Sequence, residues 1–200
     1  MRESILKSAQ DSVRATQQLM SDEALSFIEQ TAKLLAETFE RGGKLLVCGN
    51  GGSNCDAAHF AEELSGYYRE KRKALPALAL SEPGFLTCVG NDLGFDHVFA
   101  RGVEAFGNSG DLLVVLTTSG NSKNIVLAVE AAKKKQVKTV AFLGKDGGKV
   151  KGLCDLEWIV SGFRWSDRIQ EAHMAAIHII IEQMEKILFP DLLLHALTSV

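Results

Sequence analysis

Short apolar runs alternate with amphipathic stretches over most of the chain. Most of the runs end in Gly, Ser or Asn, and the five are KLLVCGN (44–50), ALPALAL (74–80), LLVVLTTSG (112–120), KTVAFLG (138–144) and LEWIVSG (156–162). None shows the polar alternation of a half-exposed strand, so they are predicted to be strands buried on both faces, as in a parallel sheet covered by helices. The helical patterns between the runs suit right-handed crossover connections.

Helical patterns also precede and follow the runs. Residues 3–20 and 22–41 are predicted to be helices, with Ser21 as the N-cap of the second, and a long final helix is predicted from about Ser166 to Leu188. The chain is therefore predicted to be α/β, a doubly wound five-stranded parallel sheet with extra helices at both ends. In such sheets, ligands bind beyond the carboxyl ends of the strands.

The composition is that of a globular protein that can bury a sizeable core, with 46% apolar and 24% charged residues. The net charge of −3 gives no support to nucleic-acid binding. Two basic clusters, Arg69 to Lys73 and Lys133 to Lys135, are interpreted as solvated helix ends.

The N-terminus has no apolar segment typical of a signal peptide, and the longest apolar run, near 175–181, is interrupted by His178. We therefore expect a cytoplasmic protein that does not span a membrane. The four cysteines have no CxxC spacing and are expected to be small core residues: Cys48, Cys55, Cys88 and Cys154.

A glycine-rich turn, GNGGSN (Gly49 to Asn54), follows the first predicted strand and opens a helix. Its backbone can approach a ligand closely, and free amides at the helix start, with the Ser53 hydroxyl, can hold an anion. The turn is not a Walker A loop, and as a dinucleotide fingerprint it fails at the third glycine, where Asn54 stands. Taken alone, it is equally consistent with a tight turn that binds nothing.

A second turn, TTSGNSKN (Thr117 to Asn124), also follows an apolar strand and opens a helix. One of its hydroxyls is expected to cap that helix, but four exceed what capping needs: Thr117, Thr118, Ser119 and Ser122. Two such turns on one sheet predict a small phosphorylated ligand. A dinucleotide stays open as an alternative, with Glu82 as a ribose contact. The loop GKDGGKV (144–150) is assigned no chemistry.

Acid-base or metal-binding side chains follow the first turn. His59 and Glu63 are four residues apart on one helix face, whereas Glu62 lies about 100° around the axis. In the final helix, His178 stands in an apolar stretch, either as a core residue or as a general acid. Gln170 lies eight residues before it, roughly 12 Å along an ideal helix, so joint binding of one metal requires a distorted helix or a second subunit.

Five segments together resemble the phosphoheptose isomerases, which act on sedoheptulose 7-phosphate and belong to the sugar isomerase (SIS) group: CGNGGSNCDAAHFAEEL, VGNDLGF, TTSGNSKN, GKDGGK and DRIQEAHMAAIH. The resemblance runs from about Arg41 to Phe189 and implies a single SIS domain over 1–200, with a flavodoxin-like fold. It further implies a homotetramer with active sites between subunits. The helices of residues 1–41 are expected to pack within this oligomer. The implied reaction converts a ketose phosphate to an aldose phosphate, the first step toward ADP-heptose for the lipopolysaccharide core.

The resemblance also implies particular residues. It implies one zinc ion per subunit, held by His59, Glu63, Gln170 and His178. The implied contacts to a phosphorylated seven-carbon sugar are Asn50, Gly51, Gly52, Ser53, Glu63, Asn91, Asp92, Thr117, Thr118, Ser119, Ser122 and Gln170. Asp167 matches a polar residue near the site.

Isomerisation needs a proton removed from C1 and one delivered at C2, and Glu63 is the natural base and His178 the natural acid for these steps. A side chain bound tightly to zinc is a poor proton carrier, so the two roles can belong to different steps. A non-catalytic SIS protein that binds phosphosugars for regulation is the main alternative. Such a protein should lack one of the acid-base residues, whereas Glu63 and His178 are both present here. A hexose or arabinose phosphate isomerase is a further alternative; HFAEE and RIQEAH favour heptose.

Overall fold

Strands form at all five predicted apolar runs. In the structure, a computed structural model that describes residues 1–191, they are Leu45–Gly49 (β1), Ala77–Ala79 (β2), Leu112–Thr117 (β3), Lys138–Gly144 (β4) and Leu156–Val160 (β5). Every neighbouring pair is parallel, and the strand order is β2-β1-β3-β4-β5. This is the flavodoxin-like order of a doubly wound sheet, so the predicted fold class is confirmed.

The α-helices of residues 1–191 are Arg2–Gln17 (α1), Asp22–Glu40 (α2), Gly52–Ser65 (α3), Pro83–Asp92 (α4), Val98–Phe106 (α5), Lys123–Lys134 (α6) and Ser166–Leu188 (α7). The first helix ends earlier than predicted, because a 3₁₀ turn occupies Gln18–Met20. The Ser21 hydroxyl then accepts a hydrogen bond from the Ala24 N–H at 3.2 Å, which confirms it as the N-cap of α2.

The helices cover both faces of the sheet. One apolar cluster joins α1, α2, α3 and α7 to strand residues such as Val47, Val114 and Phe142. A second joins α4, α5 and α6 to the alternate strand residues, such as Leu46 and Leu113. Because side chains alternate between the faces, β1, β3 and most of β4 are buried throughout, as the apolar runs predict.

Two predictions about surface and core are wrong. Cys48 is buried on β1, but Cys55 on α3 and Cys88 on α4 are exposed. The side chain of Arg72 is only 1% exposed, because it is paired with Glu185 of α7 instead of ending a helix in solvent. The other basic cluster does lie at the C-terminal end of α6, with Lys133 and Lys134 exposed.

Within residues 1–191, no helix has both the length and the apolar character needed to cross a membrane.

Candidate active site

The two predicted ligand turns lie side by side at the centre of the sheet. β1 and β3 are neighbours, with Gly49 opposite Leu116 in the register, and the strand order reverses between them. The crevice at such a switch point is where open α/β sheets bind ligands. The first turn leads from β1 into α3, and the second leads from β3 into α6.

The first turn packs against the start of α7. A Cβ atom at Gly52 would lie 2.6 Å from the side-chain amide of Gln170, so any larger residue here would have to displace that side chain from the first turn. The buried Ser53 hydroxyl accepts a weak hydrogen bond from Gln170 Nε2 at 3.4 Å. Three residues that the sequence assigned to sugar-phosphate binding therefore lie together, although they come from α3 and α7.

The hydroxyls of the second turn are not used to cap α6. Ser122 is the N-cap residue, but its side chain makes no capping hydrogen bond, so the prediction that a hydroxyl caps this helix is wrong. Thr117 Oγ1 instead accepts a hydrogen bond from the Gly120 N–H at 3.1 Å, inside the turn. The start of α6 is therefore without a side-chain cap, which suits binding of an external anion.

Thr118 connects the second turn to the final helix. Its hydroxyl donates to Ser166 Oγ at 3.0 Å, at the first residue of α7. Asp167, the next residue, is exposed and ion-paired with Arg168 at 3.3 Å. The start of α7 thus contacts both turns, through Thr118 and through Gln170.

The loop of residues 144–150, to which the sequence assigns no chemistry, supports the second turn. Val150 N–H donates to the Gly120 carbonyl oxygen at 3.0 Å. Gly120 has a φ of +64°, and a Cβ there would lie 1.8 Å from the Gly147 carbonyl oxygen. Only glycine fits this position, so the loop fixes the backbone that presents the hydroxyls.

Beyond the turns, α3 and α7 bring together a cluster of potential metal ligands. His59, Glu63 and His178 each offer one donor atom, and these atoms all lie within 4.8 Å of one another. His59 Nε2 is 3.2 Å from Glu63 Oε1, and the His59 and His178 rings meet edge to face with centroids 5.2 Å apart. Two imidazole nitrogens and a carboxylate fit a divalent ion such as zinc, with a further position open to a ligand.

The surroundings of this cluster favour neutral imidazole at His178. Burial lowers the pKa of His178, the neighbouring His59 and Arg69 lower it further, and Glu63 raises it. The Tyr68 ring stacks on His178 with centroids 5.6 Å apart and holds its orientation. Tyr68 lies outside the motifs of the sequence, so pattern analysis did not find it.

Asp56, one turn before His59, was also missed. Burial raises the pKa of its carboxyl to about 6, against the effect of the nearby His59, and one of its oxygens is buried without a hydrogen-bond partner. The one sequence signal for Asp56 is its spacing of three residues from His59, which places both side chains on the same face of α3.

Several predicted residues lie apart from the cluster. Gln170 is held at the first turn, two helical turns of α7 from His178. Asn91 and Asp92 lie exposed on α4, where their side chains are hydrogen-bonded to each other at 2.7 Å. Glu82, the ribose contact of the dinucleotide alternative, instead caps α4 by accepting hydrogen bonds from two backbone amides at 2.9 and 2.6 Å.

Comparison with known proteins agrees with this arrangement. The fold and the two helix-opening turns define an SIS-domain protein, and the family model of the SIS domain matches residues 10–144. The chain is 55% identical over 163 residues to a phosphoheptose isomerase of Fusobacterium nucleatum subsp. nucleatum, covering 82% of this chain and 84% of the relative. It is 57% identical over 168 residues to that of Vibrio cholerae, covering 84% and 88%. The chain belongs to the phosphoheptose isomerase family.

A solved structure extends the likeness to three dimensions. A phosphoheptose isomerase from Francisella tularensis superimposes with a TM-score of 0.86 at 36% identity, over 92% of this chain and 97% of that one. The family that the sequence motifs resemble is thereby confirmed.

Proposed function

We propose that this protein isomerises sedoheptulose 7-phosphate to D-glycero-D-manno-heptose 7-phosphate through an enediol. The observation that carries the proposal is that α3, which opens from the first turn, and α7, which contacts both turns at its start, bring a carboxylate and an imidazole, Glu63 and His178, into one cluster. Relatives more than half identical to the chain are phosphoheptose isomerases, which supports the same substrate class. The acid-base pair disfavours a purely regulatory phosphosugar-binding protein.

The two turns would hold the phosphate end of the sugar. Backbone amides at the starts of α3 and α6 offer donors to an anion, and no cationic side chain is needed. The proposed contacts are the residues of the turns, Gln170 and two residues on α4: Asn50, Gly51, Gly52, Ser53, Thr117, Thr118, Ser119, Ser122, Gln170, Asn91 and Asp92. Because Asn91 and Asp92 are exposed, a second subunit can bring them to the sugar.

The proton transfers would be made by two side chains. In the ketose the carbonyl is at C2, so the Glu63 carboxylate removes a proton from C1 while O2 receives one, and an enediol forms. His178, as a neutral imidazole, would then take the O1 proton and, as the acid, deliver a proton to C2, which gives the aldose. The side chain of Glu63 is only 18% exposed, which limits competition from water.

We infer that one zinc ion per subunit is held by His59, Glu63 and His178, with Gln170 as a fourth ligand after movement of α7 or from another subunit. Zinc would act as a Lewis acid on the carbonyl and diol oxygens. Metal analysis of protein purified without chelator should find zinc near one per subunit, and His59→Ala should lose it. Full metal content in His59→Ala would contradict the ligand set.

We further infer a homotetramer that works in the cytoplasm, on the first step toward ADP-heptose of the lipopolysaccharide core. A groove of about 580 Å³ between α2 and α7 is lined mostly by apolar side chains, among them Leu25, Ile179 and Ile187, together with polar ones such as Lys33 and Lys186. Leu25 is 53% exposed and Ile187 is 44% exposed in the single chain, and packing of the helices of residues 1–41 between subunits would cover them.

The decisive experiment is incubation of the purified protein with sedoheptulose 7-phosphate, followed by NMR detection of the aldose. An aldose phosphate should accumulate to an equilibrium ratio that is the same from either direction. Arabinose 5-phosphate and fructose 6-phosphate serve as parallel substrates. Faster turnover of either one than of the heptulose would contradict the proposed specificity.

A further inference from the structure

Two asparagine side chains join the turns that the proposed function assigns to the substrate. Asn50 directly follows β1, and Asn124 lies in the first turn of α6, 74 positions later. Asn50 Nδ2 donates to Asn124 Oδ1 at 2.9 Å, and Asn124 Nδ2 donates to Asn50 Oδ1, also at 2.9 Å. Neither bond is implied by any sequence motif.

The two partners of this amide pair are not equivalent. Asn124 is only 4% exposed, whereas Asn50 is half-buried and directly follows β1 in the first turn. Each amide has two N–H donors and two acceptor lone pairs, and each uses one donor and one lone pair within the pair. Asn50 therefore keeps a donor and an acceptor for a ligand, while Asn124 is enclosed.

The pair also fixes orientation. If the Asn50 amide alone turned over, nitrogen would face nitrogen and oxygen would face oxygen, which would break both bonds and oppose like partial charges. Both bonds survive only if the two amides turn over together, so Asn124 holds the plane and the position of the Asn50 amide. The same bonds tie the carboxyl end of β1 to the start of α6, so they set the separation of the two anion-binding turns.

We propose that Asn124 is a positioning residue for the isomerisation: it orients Asn50 toward the oxygen atoms of the bound sugar phosphate. The inference rests on the proposed function, because Asn50 has to contact that substrate. Asn124 itself does not touch the sugar, so every effect of its replacement on turnover should pass through Asn50.

A double-mutant cycle tests this dependence. Asn124→Ala and Asn50→Ala should each lower kcat/KM for sedoheptulose 7-phosphate by about 10- to 100-fold, as expected from losing oriented hydrogen bonds. The double variant should be no worse than Asn50→Ala within about threefold, because interacting residues are not additive. Far-UV circular dichroism and denaturant unfolding of each variant establish that it is folded.

Asn124→Asp gives a second readout in a side chain of the same shape. An ionised carboxylate can accept from Asn50 Nδ2 but sets an oxygen against Asn50 Oδ1, whereas a protonated carboxyl supplies both the donor and the acceptor. The nearest charged residue along the chain, Lys123, is paired with Asp96 at 2.7 Å on the surface. The activity of this variant relative to wild type should therefore rise several-fold as the pH is lowered from about 8 to about 6.

Asn108→Asp is the matched control, because Asn108 is exposed and precedes β3, at the end of that strand opposite to the turns. Its relative activity should stay near that of wild type at every pH. Losses that multiply in the double variant, or an Asn124→Asp variant whose relative activity is flat with pH, would overturn the positioning role. A wild type that fails to turn over the sugar would overturn the proposed function and this inference with it.

Discussion

Glu62 and Glu63 are neighbours in the chain with different surroundings. The Glu63 side chain is 18% exposed and 3.2 Å from His59, whereas that of Glu62 is 67% exposed and 3.7 Å from it. Only Glu63 shares the donor cluster with His178. The pair therefore provides an internal comparison for the role of a general base.

Glu63→Gln should lower kcat by about 100- to 10,000-fold, which is what a positioned acid-base group contributes, while the shape of the side chain is kept. Glu62→Gln should retain most of the activity. Initial rates of aldose formation measure both effects, and isothermal titration with inorganic phosphate should show binding preserved in Glu63→Gln. Wild-type kcat in Glu63→Gln would exclude this carboxylate as the base.

At the scale of elements, α3 and α7 are joined by a buried arginine from the loop that follows α3. Arg72 Nε donates to Glu185 Oε1 of α7 at 2.6 Å, and its other nitrogens donate to main-chain carbonyls at the end of α3, including that of Glu63 at 2.9 Å. Arg72 is 1% exposed and Glu185 is 11% exposed. The relative placement of the helices that carry the donor cluster depends on this contact.

Arg72→Met should lower the free energy of unfolding by about 3–5 kcal/mol, because it leaves the Glu185 carboxylate buried without its partner. Arg69→Met is the matched control: Arg69 also pairs with α7, through Glu182 at 3.0 Å, but is 61% exposed. Its loss should cost at most about 1 kcal/mol. Urea unfolding at equal protein concentration measures both, and equal losses would show that burial does not distinguish the two pairs.

The same elements show what could be predicted from sequence. Strands β1, β3 and β4 are nearly continuous apolar runs, a local signal, and the helix-opening turns carry their residues in contiguous motifs. The burial of Arg72 depends on Glu185, 113 positions away, and nothing in the cluster REKRK (69–73) distinguishes Arg72 from a solvated side chain at a helix end. The Asn50–Asn124 pair and the stacking of Tyr68 on His178 are likewise long-range contacts, which the periodicity of apolar positions along the chain does not reveal.

At the scale of the whole molecule, the apolar groove between α2 and α7 should be covered by another subunit. Leu25→Glu places a charge in this groove and should convert the proposed tetramer into smaller species in sedimentation velocity, since burial of a carboxylate at a subunit interface is costly. Phe106→Glu, at the end of α5 on the other face of the sheet, is the control and should leave the assembly unchanged. If the Leu25→Glu variant remained a tetramer, the groove between α2 and α7 would not be the subunit interface.

His173 should contribute strongly to the pH dependence of the free energy of unfolding, although it lies outside the candidate site. This residue is fully buried in α7, packs against the rings of Phe142 and Trp158, and has Nε2 2.9 Å from the Leu143 carbonyl oxygen. Burial lowers its pKa to about 4, an effect that the hydrogen bond opposes. The unfolded chain, with a pKa near 6.5, therefore binds a proton that the folded protein excludes as the pH falls.

Folding is thus penalised below pH 6.5, and the penalty reaches about 2 kcal/mol at pH 5 and levels off below the folded pKa. Asp56 acts in the opposite direction, because burial raises its pKa to about 6 and the folded state gains a proton as the pH falls. The prediction therefore concerns a difference between variants. His173→Gln, which cannot titrate, should lose about 2 kcal/mol less than wild type between pH 7 and pH 5 in urea unfolding. Parallel pH profiles for the two proteins would mean that His173 is protonated in the folded state.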